Sequence, residues 1–175
     1  PVRVIGLDIN NQTLKQAQEE ISRSEARFRA LFMDAPIPLA NLTLDGKVIA
    51  VNTSFSRMLD YTLEDLPDLE HWWRLAYPDP DYRDQTIAAW QAAISRARLH
   101  DQAVEPAEFR VTCKNGTVLS MIIGAKLMGD SIIIGFSDIT EQKQAQATMD
   151  FERRQLLSIF DSLNVFIYVS DPSTY

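Results

Sequence analysis

Cysteine is almost missing from this chain. Its single residue, Cys113, excludes an intramolecular disulfide and a cysteine-rich metal site, and fits a reducing compartment. Histidine is nearly as scarce, with His71 and His100 far apart in 175 residues, so no zinc-binding histidine pair can be assembled from neighbours. The six glycines are scattered and form no phosphate-cradling loop. There is no nucleophile elbow, no His-Glu phospho-acceptor box and no Gly-Gly-Asp-Glu-Phe signature, so this segment is expected not to be an enzyme. No apolar run approaches the length that crosses a bilayer. Basic charge is also short: 17 Lys and Arg face 24 Asp and Glu, a net charge of -7. That balance argues against nucleic acid as a partner, because phosphate backbones require a clustered basic surface. The excess is concentrated between Asp60 and Asp84, where eight acids meet only Arg74 and Arg83, and it reads as a solvated acidic face rather than an ion site.

No signal peptide is visible, Pro1 is not an initiator methionine, and the sequence stops at Tyr175 inside an apolar, strand-like stretch. Both ends therefore read as cut from a longer protein. The segment is expected in the cytoplasm without membrane contact of its own. A membrane anchor or a catalytic domain is left to the rest of the parent protein.

What is present is enough apolar material for a core, at 46% of residues, and a long-period repeat. Ile5-Gly6-Leu7-Asp8-Ile9-Asn10 returns as Ile134-Gly135-Phe136-Ser137-Asp138-Ile139-Thr140, and Lys15-Gln16-Ala17-Gln18 returns as Lys143-Gln144-Ala145-Gln146. The period is that of one domain plus a linker. The chain thus reads as the last strand of one domain, a whole domain, and the first strand of a third.

The two linkers lack Gly and Pro and read as helices. Leu14, Ile21 and Phe28 recur every seven residues, with Ala17, Ser24 and Leu31 between them. Met149, Leu156 and Leu163 do the same in the second linker, where Glu152 interrupts the companion row of Ala145 and Ile159. Seven-residue spacing is that of a coiled-coil seam, so the expected partner is a second copy. A helix packed on its own domain is the alternative.

Between the linkers the pattern is mixed α and β. Pro38–Thr43 and Lys47–Asn52 around Asp45-Gly46 read as a hairpin, Ser54–Asp60 as a short helix, Leu63–Leu75 as an irregular aromatic stretch and Asp81–Leu99 as a long helix. Phe109–Cys113, Val118–Met128 and Ile132–Phe136 read as strands separated by Asn115-Gly116 and Gly129-Asp130. This is an α+β plan, one antiparallel sheet with helices over one face. Asp138 ends the last strand with Glu141 three residues on, the arrangement of a helix cap.

Several of these stretches together resemble the PAS family. They are Val51-Asn52 running into the helix at Phe55, Tyr77-Pro78-Asp79 before the long helix, Phe109-Arg110-Val111 through Lys114-Asn115-Gly116-Thr117, and the closing Asp138-Ile139-Thr140. The resemblance implies a PAS-like five-stranded antiparallel sheet flanked by linker helices. It divides the chain into the end of a preceding PAS-like repeat (1–10), a coiled-coil-like linker helix (11–30), a PAS domain (31–140), a second linker helix (141–163) and the start of a following repeat (164–175). It further implies a sensory and dimerisation module that senses a signal or small ligand and relays it to an output domain, a histidine kinase. The alternative is a ligand-free dimerisation or relay module of a cyclic-di-GMP synthase or phosphodiesterase.

Under that resemblance Asp138, Ile139, Thr140 and Glu141 form the relay joint. A small-molecule pocket, if present, lies between sheet and helices, lined by Phe55, Met58, Trp90, Ile94, Phe109, Met121, Ile123 and Phe136. With no ligand the same residues are core. Trp72, Trp73, Tyr77, Tyr82 and Trp90 read as core filling in preference to a pocket lid. Haem is disfavoured because both histidines read as structural. Flavin chemistry is disfavoured because Cys113 lies at a strand end, outside the Asn-Cys-Arg-Phe motif of flavin-linked relatives. The identity of any cofactor stays open. The two apolar tails, Val2–Ile5 and Val165–Val169, are expected to pair with each other across a dimer or to dock on another surface.

Overall fold

The computed structural model describes residues 2–162, and side chains within residues 13–159. The chain divides after Asp138 into two units. The first contains a long helix α1 (Val2–Met33), the hairpin β1 (Leu39–Thr43) and β2 (Val48–Val51), helices α2 (Thr53–Leu59), α3 (Leu69–Ala76) and α4 (Pro80–His100), and strands β3 (Val104–Thr112), β4 (Val118–Met128) and β5 (Ser131–Asp138). The second contains helix α5 (Thr140–Ser162).

All five strands join one antiparallel sheet in the order β2-β1-β5-β4-β3. Two turns depend on glycine: Gly46 and Gly116 hold φ of +91° and +86°, a region glycine enters without a Cβ clash. Alternation along the strands sends Ala40, Leu42, Met121, Ile123, Ala125, Ile132, Ile134 and Phe136 to one face. There they pack with Phe55 and Leu59 of α2, Trp72 and Ala76 of α3, and Trp90 and Ala97 of α4.

The helices begin where side chains supply the missing acceptors. Asp79 accepts from the N–H groups of Asp81 and Tyr82 at 3.0 and 3.1 Å, and Pro80 occupies the first turn of α4, where its lack of an N–H costs nothing. Asp68 caps α3 through the N–H of His71 at 2.9 Å.

Three expectations need correction. Val2–Ile5 is not a strand: it lies within α1, which begins at Val2 rather than Asn11. An isolated strand would leave its backbone groups unpaired, whereas a helix satisfies them internally. The tail pairing expected of Val2–Ile5 therefore loses its premise, and Val165–Val169 lies outside the described residues, as does Leu163 of the second heptad row. The stretch Leu63–Leu75, read as irregular, contains all but the last residue of α3; its bulky, aromatic composition hides a helix that tertiary burial and the Asp68 cap sustain. Finally, β3 starts at Val104 rather than Phe109. Pro106 masks its first half, and it sits where an edge strand tolerates proline, at a register shift between Val104 and Ala107.

Candidate functional site

The entry to the sheet is built around Asn52, a fully buried polar residue. Its Oδ1 accepts from the N–H groups of Leu39 and Phe55, each at 2.9 Å. Its Nδ2 donates to the carbonyls of Ile37 at 2.8 Å and Ala35 at 3.3 Å. One carboxamide thereby caps α2 and clamps the segment joining α1 to β1, and Ser54 Oγ adds a 2.7 Å bond to the Ala35 carbonyl. Asn immediately before a helix is a cap signal; its two further bonds to residues 35 and 37 have no sequence signature.

Aromatic rings dominate the interior. Trp72 contacts Phe55, Tyr61, Tyr77 and Phe136 with ring centroids 5.8 to 6.3 Å apart. Trp73 meets Tyr77 and Trp90. Burial drives the Tyr77 hydroxyl far above its ordinary pKa. Two internal cavities remain, each of about 20 Å³. Neither exceeds room for a single water.

The candidate pocket residues divide accordingly. Trp90, Phe109, Ile123 and Phe136 border the first cavity, and Phe55 and Phe136 the second. Met121 is fully buried core, and Met58 packs against the core from α2. Ile94 instead lines a groove of about 440 Å³ beside the β1–β2 turn. A groove that the sequence did not single out, of about 480 Å³, opens between α4 and β3. Trp90, Phe109 and Ile123 form its inner wall, so these three residues separate it from the first cavity. Its outer part carries Arg96 and His100 on α4 and Glu105 on β3. Nothing in the spacing of these residues signals that they face one groove, because the helix and the strand meet only in the fold.

A further cleft, of about 790 Å³, lies between α1 and the opposite side of β1 and β2. Phe28, Met33, Ile49 and Leu63 give it an apolar lining, and the buried Oδ1 of Asn41 in its wall has no hydrogen-bond partner. Further along α1, Leu14, Ile21 and Leu31 are exposed. So are Met149, Leu156 and Ile159 on α5.

The exit joint is short. Asp138 is the last residue of β5, Ile139 stands alone, and Thr140 and Glu141 lie in the first turn of α5. The N–H of Lys143 bonds the Ile139 carbonyl at 2.9 Å.

A latch ties the β3–β4 turn to the loop after α2. Lys114 Nζ reaches both carboxylate oxygens of Asp65 at 2.8 Å, and its N–H bonds the Leu59 carbonyl. Lys114 holds the Asp65 carboxyl down at about 2, with help from the Thr62 N–H. Cys113, next to it, is buried with Sγ 3.7 Å from the Met58 carbonyl, and desolvation pushes its thiol up. His71 bonds the Asp68 carboxylate through Nδ1 at 2.8 Å. No cluster of three or more His, Cys, Asp or Glu suited to a metal occurs among the described residues. No helix among them is long and apolar enough to cross a membrane.

Comparison with known proteins agrees with this architecture. A family model described as PAS fold matches residues 48–131. The sensor histidine kinase TmoS of Ectopseudomonas mendocina is 25% identical over a region that covers 83% of this chain and 15% of that protein, so the chain spans a small part of that relative. A domain of a sensory box sensor histidine kinase/response regulator from Geobacter sulfurreducens superposes with a TM-score of 0.51 at 20% identity, covering 67% of this chain and 96% of that one. A sensory box histidine kinase/response regulator from Burkholderia thailandensis E264 gives 0.52 at 18% identity, over 75% and 98%. The five-stranded antiparallel sheet, the helices on its inner face and the matched residues together give the central part of this chain the PAS fold.

Proposed function

We propose that this chain is a sensory relay segment of a sensor histidine kinase: a PAS domain between two helices that pair with those of a second copy. The observation that carries this is the exposure of the seven-spaced residues. Leu14, Ile21 and Phe28 on α1 are exposed to 66%, 61% and 49%, and Met149 and Leu156 on α5 to 64% and 57%. A lone helix gains nothing from a solvent-facing stripe at that spacing, whereas a second helix buries it. Each buried apolar side chain would contribute roughly 1.5–3 kcal/mol. The cleft lined by Phe28, Ile49 and Leu63 continues the α1 stripe, and a partner there would also supply a donor for Asn41 Oδ1.

The relay follows from connectivity. α1 enters through a segment clamped by Asn52, and β5 passes to α5 through Ile139 alone. A joint of one residue has few ways to absorb a displacement, so movement of β5 would reach α5 through Asp138, Ile139, Thr140 and Glu141. Two cavities of about 20 Å³ favour the variant of this reading in which the interior is filled by the protein's own rings and the signal enters elsewhere.

The test is the oligomeric state by sedimentation equilibrium. The chain is expected to be a dimer, and the double variant Ile21→Glu/Leu156→Glu a folded monomer. A wild-type monomer across the micromolar range overturns the proposal.

A further inference from the structure

We propose that the groove between α4 and β3 binds an α-amino acid with an apolar side chain. Five alanines stand in its walls: Ala89, Ala93 and Ala97 recur along one face of α4, and Ala103 and Ala107 lie opposite. Small side chains leave a volume of about 480 Å³, within the range of small-molecule sites. The deep end is the apolar wall of Trp90, Phe109 and Ile123.

Charge decides the ligand class. Arg96 and His100 stand one turn apart on α4, and Glu105 stands across the groove on β3. Arg96 and Glu105 form no ion pair with each other or with any described residue. A simple organic anion would meet Arg96 but also Glu105, and the carbonyl end of α4 carries partial negative charge. A simple amine would meet Glu105 but also Arg96. A zwitterion satisfies both walls: its carboxylate meets the guanidinium on α4, its ammonium meets the carboxylate on β3, and its apolar side chain lies against Trp90, Phe109 and Ile123. The two charged groups, Arg96 and Glu105, are exposed, so binding is weak and salt-dependent.

The site also has a route to the relay. Ile123 of the inner wall pairs with Phe136 across β4 and β5, and Phe136 is two residues from Asp138. A ligand pressing on Ile123 therefore acts on the strand that leads to α5. The binding claim stands independently of the helix pairing proposed above, and the two fail separately.

The experiment is calorimetric titration of the full chain with three probes that share a phenylethyl unit: L-phenylalanine, 3-phenylpropanoate, which lacks the ammonium, and phenethylamine, which lacks the carboxylate. Saturable binding of L-phenylalanine is expected, with each single-charge analogue weaker by about tenfold or more. Arg96→Gln should abolish the preference over phenethylamine, Glu105→Gln the preference over 3-phenylpropanoate, and Ala103→Trp should block all three. Both charge variants are at exposed positions and keep the fold, so they decide the question even if Ala103→Trp misfolds. Equal affinities, unchanged preferences in the charge variants, or no saturation by about 10 mM L-phenylalanine overturns the proposal. A monomer that binds L-phenylalanine would refute the helix pairing alone; a dimer that does not bind it would refute the groove alone.

Discussion

The Oδ1 of Asn52 lies 2.9 Å from the N–H of Leu39, thirteen residues earlier, and the same atom caps the helix that begins one residue later. Four bonds converge on that carboxamide in a site with no solvent. Asn52→Ala would remove the cap and leave the Leu39 N–H and the Ile37 carbonyl unsatisfied. A loss of about 3 kcal/mol is expected, the sum of one cap and at least one orphaned buried group. Urea unfolding of the variant measures it; a loss within a few tenths of a kcal/mol would mean that water replaces the carboxamide.

Trp72 lines both internal cavities and touches four other rings. Trp72→Ala should cost roughly 3–5 kcal/mol and merge the two voids into one apolar space. Indole added to the variant should raise its melting temperature while leaving the wild-type chain unchanged. If indole stabilises both equally, the wild-type interior is not filled in the way described.

The Asp65–Lys114 latch sets a defined pH window. Asp65 titrates at about 2 in the fold against 3.8 for the free side chain, so its contribution is complete above 3.8 and is lost as pH falls through about 2. Lys114 is raised by the same bond, so its share is present below 10.5 and is lost as pH rises through its elevated value. The stability difference between wild type and Asp65→Asn should therefore be flat near neutrality and shrink between about pH 4 and about pH 2. Both partners are partly exposed, so high salt should reduce the difference as well.

Cys113 is buried, and its thiol is held protonated by desolvation, with the Asp138 and Asp60 carboxylates adding to the effect. Thiolate is the reactive form. Ellman's reagent should react slowly with the native chain and at the rate of a free thiol in denaturant. Fast labelling of the native protein would show that the β3–β4 end opens readily.

Legibility in the sequence followed the locality of the signal. The turns at Asp45-Gly46 and Asn115-Gly116, and the strand over Val118–Met128, depend on neighbours in the chain, and each lies in the structure where the sequence puts it. Helix α3 was hidden because its stability comes from Trp72 and Ala76 packing on residues far away in sequence. The beginning of β3 was hidden by Pro106, whose meaning depends on whether its strand is central or at an edge. Of the eight pocket candidates, Trp90, Phe109 and Ile123 meet at one wall, while Met121 is plain core. Periodicity separates inward from outward residues but does not tell which inward residues border a void. The groove charges Arg96 and Glu105 were missed for a related reason: each alone is an ordinary surface residue, and only the docking of α4 beside β3 makes them line one groove.

The placement of β5 within the sheet has a mechanical consequence. It is the middle of five strands, bonded to β1 on one side and β4 on the other, so no strand stands more than two ladders from it. On the relay reading proposed above, a push on either margin of the sheet crosses at most two ladders to reach the strand that leads to α5. Unrelated stimuli, whether delivered at the β2 margin or the β3 margin, would thus issue through one common outlet, and the domain could change what it responds to without rebuilding how it reports.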